Sequence, residues 1–246
     1  MATTKIQWTS KVWNPVTGCT KISEACQNCY AEVMARRLQK MPASKEKYKN
    51  GFKVTLHPEC LEEPFGWKKP TMVFVVSMGD LFHQDVPFTF IDNIMQIIRL
   101  LPHHTFQLLT KRPERMAKYF QTRYGAPMNC WLGTTCENNL HYDRIDSLRA
   151  VRGGAVKFVS CEPLLGNMPD IDLSGIDWVI AGGESGTRAR KTPIEWFRNL
   201  RDRCVETNTP FFFKQWGAWG EDDVKRSKYA NGSLLDGVEW KQMPKM

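Results

Sequence analysis

Six apolar runs, each four to six residues long and each followed by a polar cluster, set the tightest limit on how this chain can fold. They are Met72-Val-Phe-Val-Val-Ser77, Thr105-Phe-Gln-Leu-Leu109, Cys130-Trp-Leu-Gly-Thr134, Val156-Lys-Phe-Val-Ser160, Trp178-Val-Ile-Ala181 and Pro210-Phe-Phe-Phe-Lys-Gln215. Short unbroken runs of this kind are strands covered on both faces, which is the environment of a parallel sheet. Helical text separates most of them. Ile91, Ile94, Met95, Ile98 and Leu101 line one face after Thr89-x-x-Asp92, which resembles a capping box; Pro113 opens a second helix and another runs around Leu140 to Val151. Thr192-Pro193-Ile-Glu195 combines a capping box with proline at the first helical position. Between Ser160 and Trp178 no helix is expected, because Pro163, Gly166, Pro169 and Gly175 interrupt the segment. With a short strand near Trp13 to Gly18, the alternation predicts a complete or partial (β/α) TIM-type barrel in a single domain, an open doubly wound sheet being the second choice. A length of 246 residues suits one such domain. The barrel core is expected over about 12–216, with an irregular Pro-, Gly- and Lys-rich insertion over about 42–70 and a cap over 217–246 in which Asn231-Gly232 forms a turn.

Into this frame the N-terminal part brings Cys19, Cys26 and Cys29, with six and then two residues between them, in a turn-rich loop running straight into a helix. Tyr30, Val33, Met34, Leu38 and Met41 recur at helical spacing, so Cys29 is expected at a helix N-terminus, where free N–H groups favour a thiolate. No stretch reaches the roughly 18 apolar residues of a membrane span, and Met1 to Trp8 lacks a signal peptide's apolar segment, so a cytoplasmic protein with no membrane partner is expected. In such a compartment cysteines at this spacing point to a metal or an iron–sulfur cluster rather than to disulfides. Cys60, Cys130, Cys136, Cys161 and Cys204 are scattered and are expected to be mostly buried apolar side chains. A net charge of +8, from 34 Lys and Arg against 26 Asp and Glu, permits an anionic partner such as nucleic acid. The basic residues are spread out, apart from small groups such as Lys45 to Lys49 and Lys225-Arg-Ser-Lys228.

Polar residues gather directly after the apolar runs: Ser77-Met-Gly79-Asp80, Thr110-Lys111-Arg112, Glu137-Asn138, Glu162-Pro163, Gly182-Gly183-Glu184-Ser185 and Lys214-Gln215. In a parallel barrel all of these share the C-terminal face, where active sites are built, and the Cys19 to Cys29 loop joins them. Ser, Thr, Asp and Gly also serve there as helix caps. Lys, Arg and Glu do not, and their recurrence indicates a polar pocket. Three thiolates leave one iron of a four-iron cubane open, as a reactive site requires; the alternative is a closed structural zinc site completed by His57 or Cys60.

Trp13-Asn-Pro-Val-Thr-Gly-Cys19, Cys26-x-x-Cys29-Tyr-Ala, Ser77-Met-x-Asp80-Leu-Phe-His83, Leu109-Thr-Lys-Arg-Pro113, Phe158-Val-Ser-Cys-Glu-Pro163, Gly182-Gly-Glu-Ser185 and Phe212-Phe-Lys-Gln-Trp216 together resemble the phage-type three-cysteine family. That family carries no settled activity and is a relative of the radical S-adenosylmethionine enzymes, which space their cysteines by three and two residues where this chain has six and two. The resemblance implies that Cys19, Cys26 and Cys29 ligate a [4Fe-4S] cluster whose open iron takes the amino and carboxylate groups of S-adenosylmethionine. It further implies that Ser77, Gly79 and Asp80 hold the methionine amine, that Lys111 or Arg112 pairs with the carboxylate, that Gly182 and Gly183 leave room for the adenosine, and that Glu184 bonds a ribose hydroxyl. Glu162 and Lys214 would then face the substrate, for which a nucleic acid or nucleotide is the natural guess, and an electron donor would be needed.

Three classes of function follow. A radical enzyme is the first. A non-catalytic module that binds nucleic acid or protein through a structural zinc or iron–sulfur site is the second. The third, a hydrolase or transferase without redox chemistry, has no nucleophile-elbow or phosphate-loop motif to support it.

Overall fold

The computed structural model describes residues 4–245; Met1 to Thr3, on which the signal-peptide reading partly rests, lie outside the described residues. In chain order the elements are β1 (Lys11–Trp13), β2 (Val16–Thr17), α1 (Tyr30–Leu38), β3 (Thr55–Leu56), β4 (Met72–Val75), α2 (Phe88–Leu100), β5 (Thr105–Thr110), α3 (Pro113–Gln121) and β6 (Cys130–Thr135). There follow α4 (Asp143–Arg149), β7 (Val156–Cys161), β8 (Trp178–Gly182), α5 (Ile194–Glu206), β9 (Phe211–Gln215), α6 (Lys228–Asn231), β10 (Leu234–Leu235) and β11 (Val238–Glu239). Seven strands pair in parallel in the order β1-β4-β5-β6-β7-β8-β9 and curl into a half-barrel, a single α/β domain. The order never reverses. A doubly wound sheet needs such a reversal, so the second choice from sequence does not hold.

The curl gives each strand two differently covered faces. Toward the helices, residues such as Val73, Phe106, Leu132, Val159 and Phe213 pack on Ile91, Ile94, Met116, Phe120 and Leu148 in one apolar cluster. Burial of that surface is the main force holding the half-barrel. The concave face carries Phe74, Trp131, Phe158, Trp178, Ile180 and Phe212, closed by Trp8. Trp8 stands 4.8 Å from the Phe74 ring and 6.3 Å from Trp178. These aromatics sit early or midway along their strands, so they fill the N-terminal end of the concave side. Two residues further along the same face come Ser160 after Phe158, Gly182 after Ile180 and Lys214 after Phe212, with Glu162 next after Ser160. Thus the C-terminal end of the concave side is polar.

Several local readings need correction. In α1 the residues at helical spacing are not the most buried: Ala31 and Ala35 are, with Leu38 packing on the same cluster with Tyr48 and Met78, while Tyr30, Val33 and Met34 are exposed. Thr89 and Asp92 do not cap α2, which begins after Pro87; Asp92 accepts instead from Tyr119 Oη at 2.7 Å and Arg123 Nε at 3.0 Å. Pro193 is the residue before α5 rather than its first, and Thr192 Oγ1 donates to the Leu164 carbonyl at 2.8 Å. The segment between β7 and β8 has no helix, and Pro113 opens α3. All five scattered cysteines are buried. No described helix is long and apolar enough to cross a membrane.

The C-terminal segment is more regular than its sequence suggests. Asp236 (φ 52°) and Gly237 (φ 74°) turn the β10–β11 hairpin, and the chain then runs antiparallel along the free edge of β9, Phe213 N donating to Trp240 O at 2.8 Å. An exposed strand edge is thereby covered. Lys241 reaches from this segment over the Phe212 ring at 4.7 Å and donates to Gln7 Oε1 at 3.0 Å and Lys214 O at 3.1 Å. Burial pushes its ammonium down from 10.5 to about 8. A lysine lowered in the folded state loses its proton there before it does so in the unfolded chain, so stability rises with pH between about 8 and 10.5 on its account. Lys241→Met should flatten that rise, read as the difference between wild-type and variant denaturant midpoints at pH 7.5 and 10.

Candidate functional site

The cysteine loop is built onto the strand ends by close backbone contact. Gly18 N donates to Met78 O at 2.9 Å and Cys19 N to Phe52 O at 3.2 Å. Gly18 has φ +85°, and a Cβ there would lie 2.2 Å from Lys53 O; one at Gly79 would lie 2.7 Å from Gly18 O. Only glycine permits both the turn and the approach. On the facing strand Val76 sits at φ 60°, a strained setting for a β-branched residue, with its N–H bonded to Trp13 O at 2.7 Å. This kink ends β4 at Val75 and brings Ser77 across the mouth, where Ser77 Oγ donates to Asn14 Oδ1 at 3.2 Å and Tyr30 Oη donates to Ser77 O at 2.6 Å.

Two carboxylate–arginine pairs then clamp the loop from opposite sides. Asp80 accepts from Thr110 Oγ1 at 2.7 Å and from Phe82 N at 2.9 Å, and pairs with Arg112 Nη1 at 2.9 Å. The same guanidinium lies 3.5 Å from Cys19 Sγ and donates to Thr20 O and Thr20 Oγ1 at 3.2 and 3.1 Å. His83 Nδ1 accepts from Asp85 N at 3.1 Å, which leaves Nε2 to donate to Thr20 Oγ1 at 2.8 Å. Across the mouth, Glu184 pairs with Arg190 Nη2 at 2.6 Å and accepts from Asn28 Nδ2 at 3.1 Å, while Arg190 Nη1 donates to Glu24 O at 3.1 Å. Burial alone would raise the Glu184 carboxyl, but Arg190 and Asn28 hold it below the usual carboxylate range. Asn28 lies between Cys26 and Cys29, so this second clamp grips the short limb of the loop.

The thiols differ in consequence. Burial and the Asp80 charge push Cys19 up to about 11 against the opposing pull of Arg112. For Cys26 burial also disfavours the thiolate, yet hydrogen bonds from the Ile22 main chain and the charge of Lys111 prevail, and its thiol falls below the ordinary value. Cys29 is the residue before the first turn of α1, as its spacing predicts. All three are half-exposed. Among the described residues no group of three or more His, Cys, Asp or Glu side chains is drawn together to hold a metal ion. The zinc alternative fares no better. His57 is engaged by Thr17 Oγ1 at 2.8 Å and Glu59 Oε1 at 3.1 Å, and Cys60 Sγ by Lys47 Nζ at 3.0 Å. A single zinc holds its sulfurs about 2.3 Å from one centre, whereas a cubane presents a separate iron to each thiolate and tolerates a wider set. Three half-exposed soft ligands on one loop fit a cluster in donor chemistry.

Inside the mouth, Lys214 Nζ pairs with Glu162 Oε1 at 2.9 Å, and Ser160 Oγ approaches Glu162 Oε2 at 3.4 Å. Gly182 lies between the two strands, where a Cβ would come within 2.9 Å of Glu162 Oε1. At Gly183 the space of a side chain is already taken, since a Cβ would lie 1.9 Å from Trp216 O. Gly183→Ala should therefore cost about 3 kcal/mol, the upper end for overpacking, seen as a lower denaturant midpoint with an unchanged slope. Of the residues singled out from sequence, the fold brings Cys19, Cys26, Asp80, Lys111 and Arg112 to one side of the mouth and Glu162, Gly182, Lys214 to the other. Glu184 stands beyond, bonded to Arg190. Thr20, Asn28 and Arg190, which fasten the loop, were not singled out and carry no signal of type or spacing; His83 appears in the sequence analysis only as part of the Ser77 to His83 motif, and Tyr30 only in the Cys26 to Ala31 motif and the helical spacing of α1.

The same curled half-barrel is found in spore photoproduct lyase. The structure of that enzyme complexed with dinucleoside spore photoproduct gives a TM-score of 0.50 at 11% sequence identity, over 83% of this chain and 63% of that one. Two single-residue mutants of the enzyme give 0.52 and 0.51 at 13% and 12% identity. What is shared at such identity is the fold, the curled half-barrel, and this chain spans 63% of the length of the enzyme it matches. Within that fold class the chain belongs to the family described as Protein of unknown function (DUF5131), whose model matches residues 3–244. No curated protein matches the sequence.

Proposed function

We propose that this protein is a radical S-adenosylmethionine-type enzyme in which Cys19, Cys26 and Cys29 hold a [4Fe-4S] cluster and whose substrate is related to nucleic acid. The observation that carries the reading is the pair of carboxylate–arginine clamps, Asp80–Arg112 and Glu184–Arg190, which fix a loop of three half-exposed thiols over the polar mouth of the half-barrel. The resemblance to the phage-type three-cysteine family supports it, and so does a fold shared with an enzyme solved on a dinucleoside. When bound, the cluster and S-adenosylmethionine supply a 5′-deoxyadenosyl radical for hydrogen abstraction, given an electron donor.

The chain's own residues position, exclude and hold protons. With Asp80 and Glu184 occupied by arginines, their part is to fasten the loop; Ser77 and Gly79 line the adjoining rim, Gly182 and Gly183 set the spacing of the β8 end, and Lys111, whose charge already reaches Cys26, is the cation left for a carboxylate. On the substrate side Lys214 Nζ donates a proton toward Glu162 Oε1, a pair able to orient a polar group above the aromatic floor. That floor keeps water from the lower end of the site.

The test is anaerobic purification and reconstitution, counting iron, sulfide and zinc per chain and recording the spectrum with and without S-adenosylmethionine. About four irons and a signal that responds to S-adenosylmethionine are expected. One tightly held zinc and no response would overturn the proposal in favour of a non-catalytic module.

A further inference from the structure

A second feature opens beside the mouth and takes no part in fastening the loop. A groove of about 390 Å³ runs between the end of β8 and the C-terminal segment, lined among others by Ser185, Thr187, Lys225, Arg226 and Lys228. It opens at the end of β9, where Gln215, the residue after Lys214, donates from Nε2 to Ser185 Oγ at 3.0 Å. Lys225 is held across it by donating to Thr187 O at 2.6 Å, with its ammonium 5.2 Å from the Trp219 ring. Of the basic side chains lining it, Arg226 is neutralised by Asp222 at 2.5 Å, while Asp223 is taken by Lys191 at 2.6 Å. Neither Lys225 nor Lys228 is ion-paired among the described residues. Beside the groove Tyr229 is 70% exposed, with Lys228 and Lys5 ammonium groups 5.4 and 6.0 Å from its ring.

A ligand that meets every one of these features has repeated anionic groups, acceptors for hydroxyl donors, and flat faces that stack on an exposed ring flanked by cations. Phosphates meet the first two requirements, and unpaired bases meet the third. A duplex keeps its base faces stacked and would use the charge alone. We propose that this groove is a track for a single strand of nucleic acid leading to the mouth of the half-barrel. The inference rests on the reading of the strand-end face as the reactive one, and it names the substrate class for that face.

Fluorescence anisotropy with a labelled oligonucleotide of about 12 nucleotides tests it, without reductant or S-adenosylmethionine. Lys225→Gln/Lys228→Gln should weaken binding at least tenfold at about 0.1 M salt and reduce the slope of log affinity against log salt by about 1.4, one lost phosphate contact per lysine. Tyr229→Ala should weaken it roughly 5- to 150-fold with the slope unchanged. A matched pair elsewhere, Lys68→Gln/Lys69→Gln, should change little. Equal losses for the two lysine pairs, no effect of Tyr229→Ala, or equal affinity for a duplex of the same length would overturn the proposal. Iron is counted on every variant: loss of binding at full iron content locates the defect in the groove, whereas a chain that holds zinc and no iron yet binds the strand would sink the radical reading and leave the groove standing.

Discussion

Cys26→Ala is expected to take the reconstituted protein from about four irons per chain to background, with its far-UV circular dichroism unchanged. The second half of that expectation comes from position: Cys26 is half-exposed on a single turn of 3-10 helix and contributes no packing to the core. Cys204→Ala is the matched contrast. That thiol is fully buried on α5, so its removal should leave the iron count unchanged while costing about 1 kcal/mol of stability, as loss of a small buried group does. Iron content measured beside a denaturation curve separates the two effects. If Cys26→Ala kept its iron, the three-cysteine assignment would be lost.

Arg112→Ala should be the most damaging substitution to the apoprotein. The side chains of Arg112 and Asp80 are 9% and 7% exposed, so deleting the guanidinium strands a carboxylate in the interior and frees the Thr20 main chain at once. Breaking a buried pair from one side costs about 3–5 kcal/mol, on the order of 10 °C in melting temperature for a chain of this size. The Cys19 to Cys26 amides should also exchange with solvent faster, because the clamp on that limb of the loop is gone. Asp80→Ala combined with Arg112→Ala should recover part of the stability by removing the stranded charge, but should not restore slow exchange in the loop. A melting temperature within about 2 °C of wild type for Arg112→Ala would mean that the pair does not hold the loop. The Glu184–Arg190 clamp should respond more weakly, its arginine being 31% exposed and partly screened.

The half-barrel was legible because its strands are covered on both faces and therefore read as unbroken apolar text. Each of the six runs corresponds to a strand between β4 and β9. The missing helix before β8 was legible for the opposite reason, since proline and glycine forbid one. The apolar face of α1 was not. Periodicity marks which residues share a face, and Tyr30, Val33 and Met34 do share one; it does not say that this face is covered, and here the covered side is made of Ala31 and Ala35, with Leu38 packing on the same cluster. Both capping boxes failed similarly. Thr192 and Asp92 have the right types at the right spacing, but tertiary partners, the Leu164 carbonyl and Arg123, claim their side chains.

For the site, sequence placed the three cysteines and the strand-end polar residues on one face, because in a parallel sheet every strand points the same way. The family resemblance gave Asp80 and Glu184 to the cofactor. Only the tertiary structure decided that Arg112 and Arg190 reach them first, because residues such as Glu24 and Arg190 become neighbours when the ends of β8 and the cysteine loop meet across the mouth. The same holds for the groove. Lys225-Arg-Ser-Lys228 is an ordinary basic run in the sequence, and becomes one wall of the groove facing Ser185 and Thr187 only when the C-terminal segment doubles back so that Lys225 bridges to Trp219. Local pattern fixes which residues belong to which strand end; which charges are spent on one another depends on contacts between residues far apart in the chain, and no spacing rule carries that information.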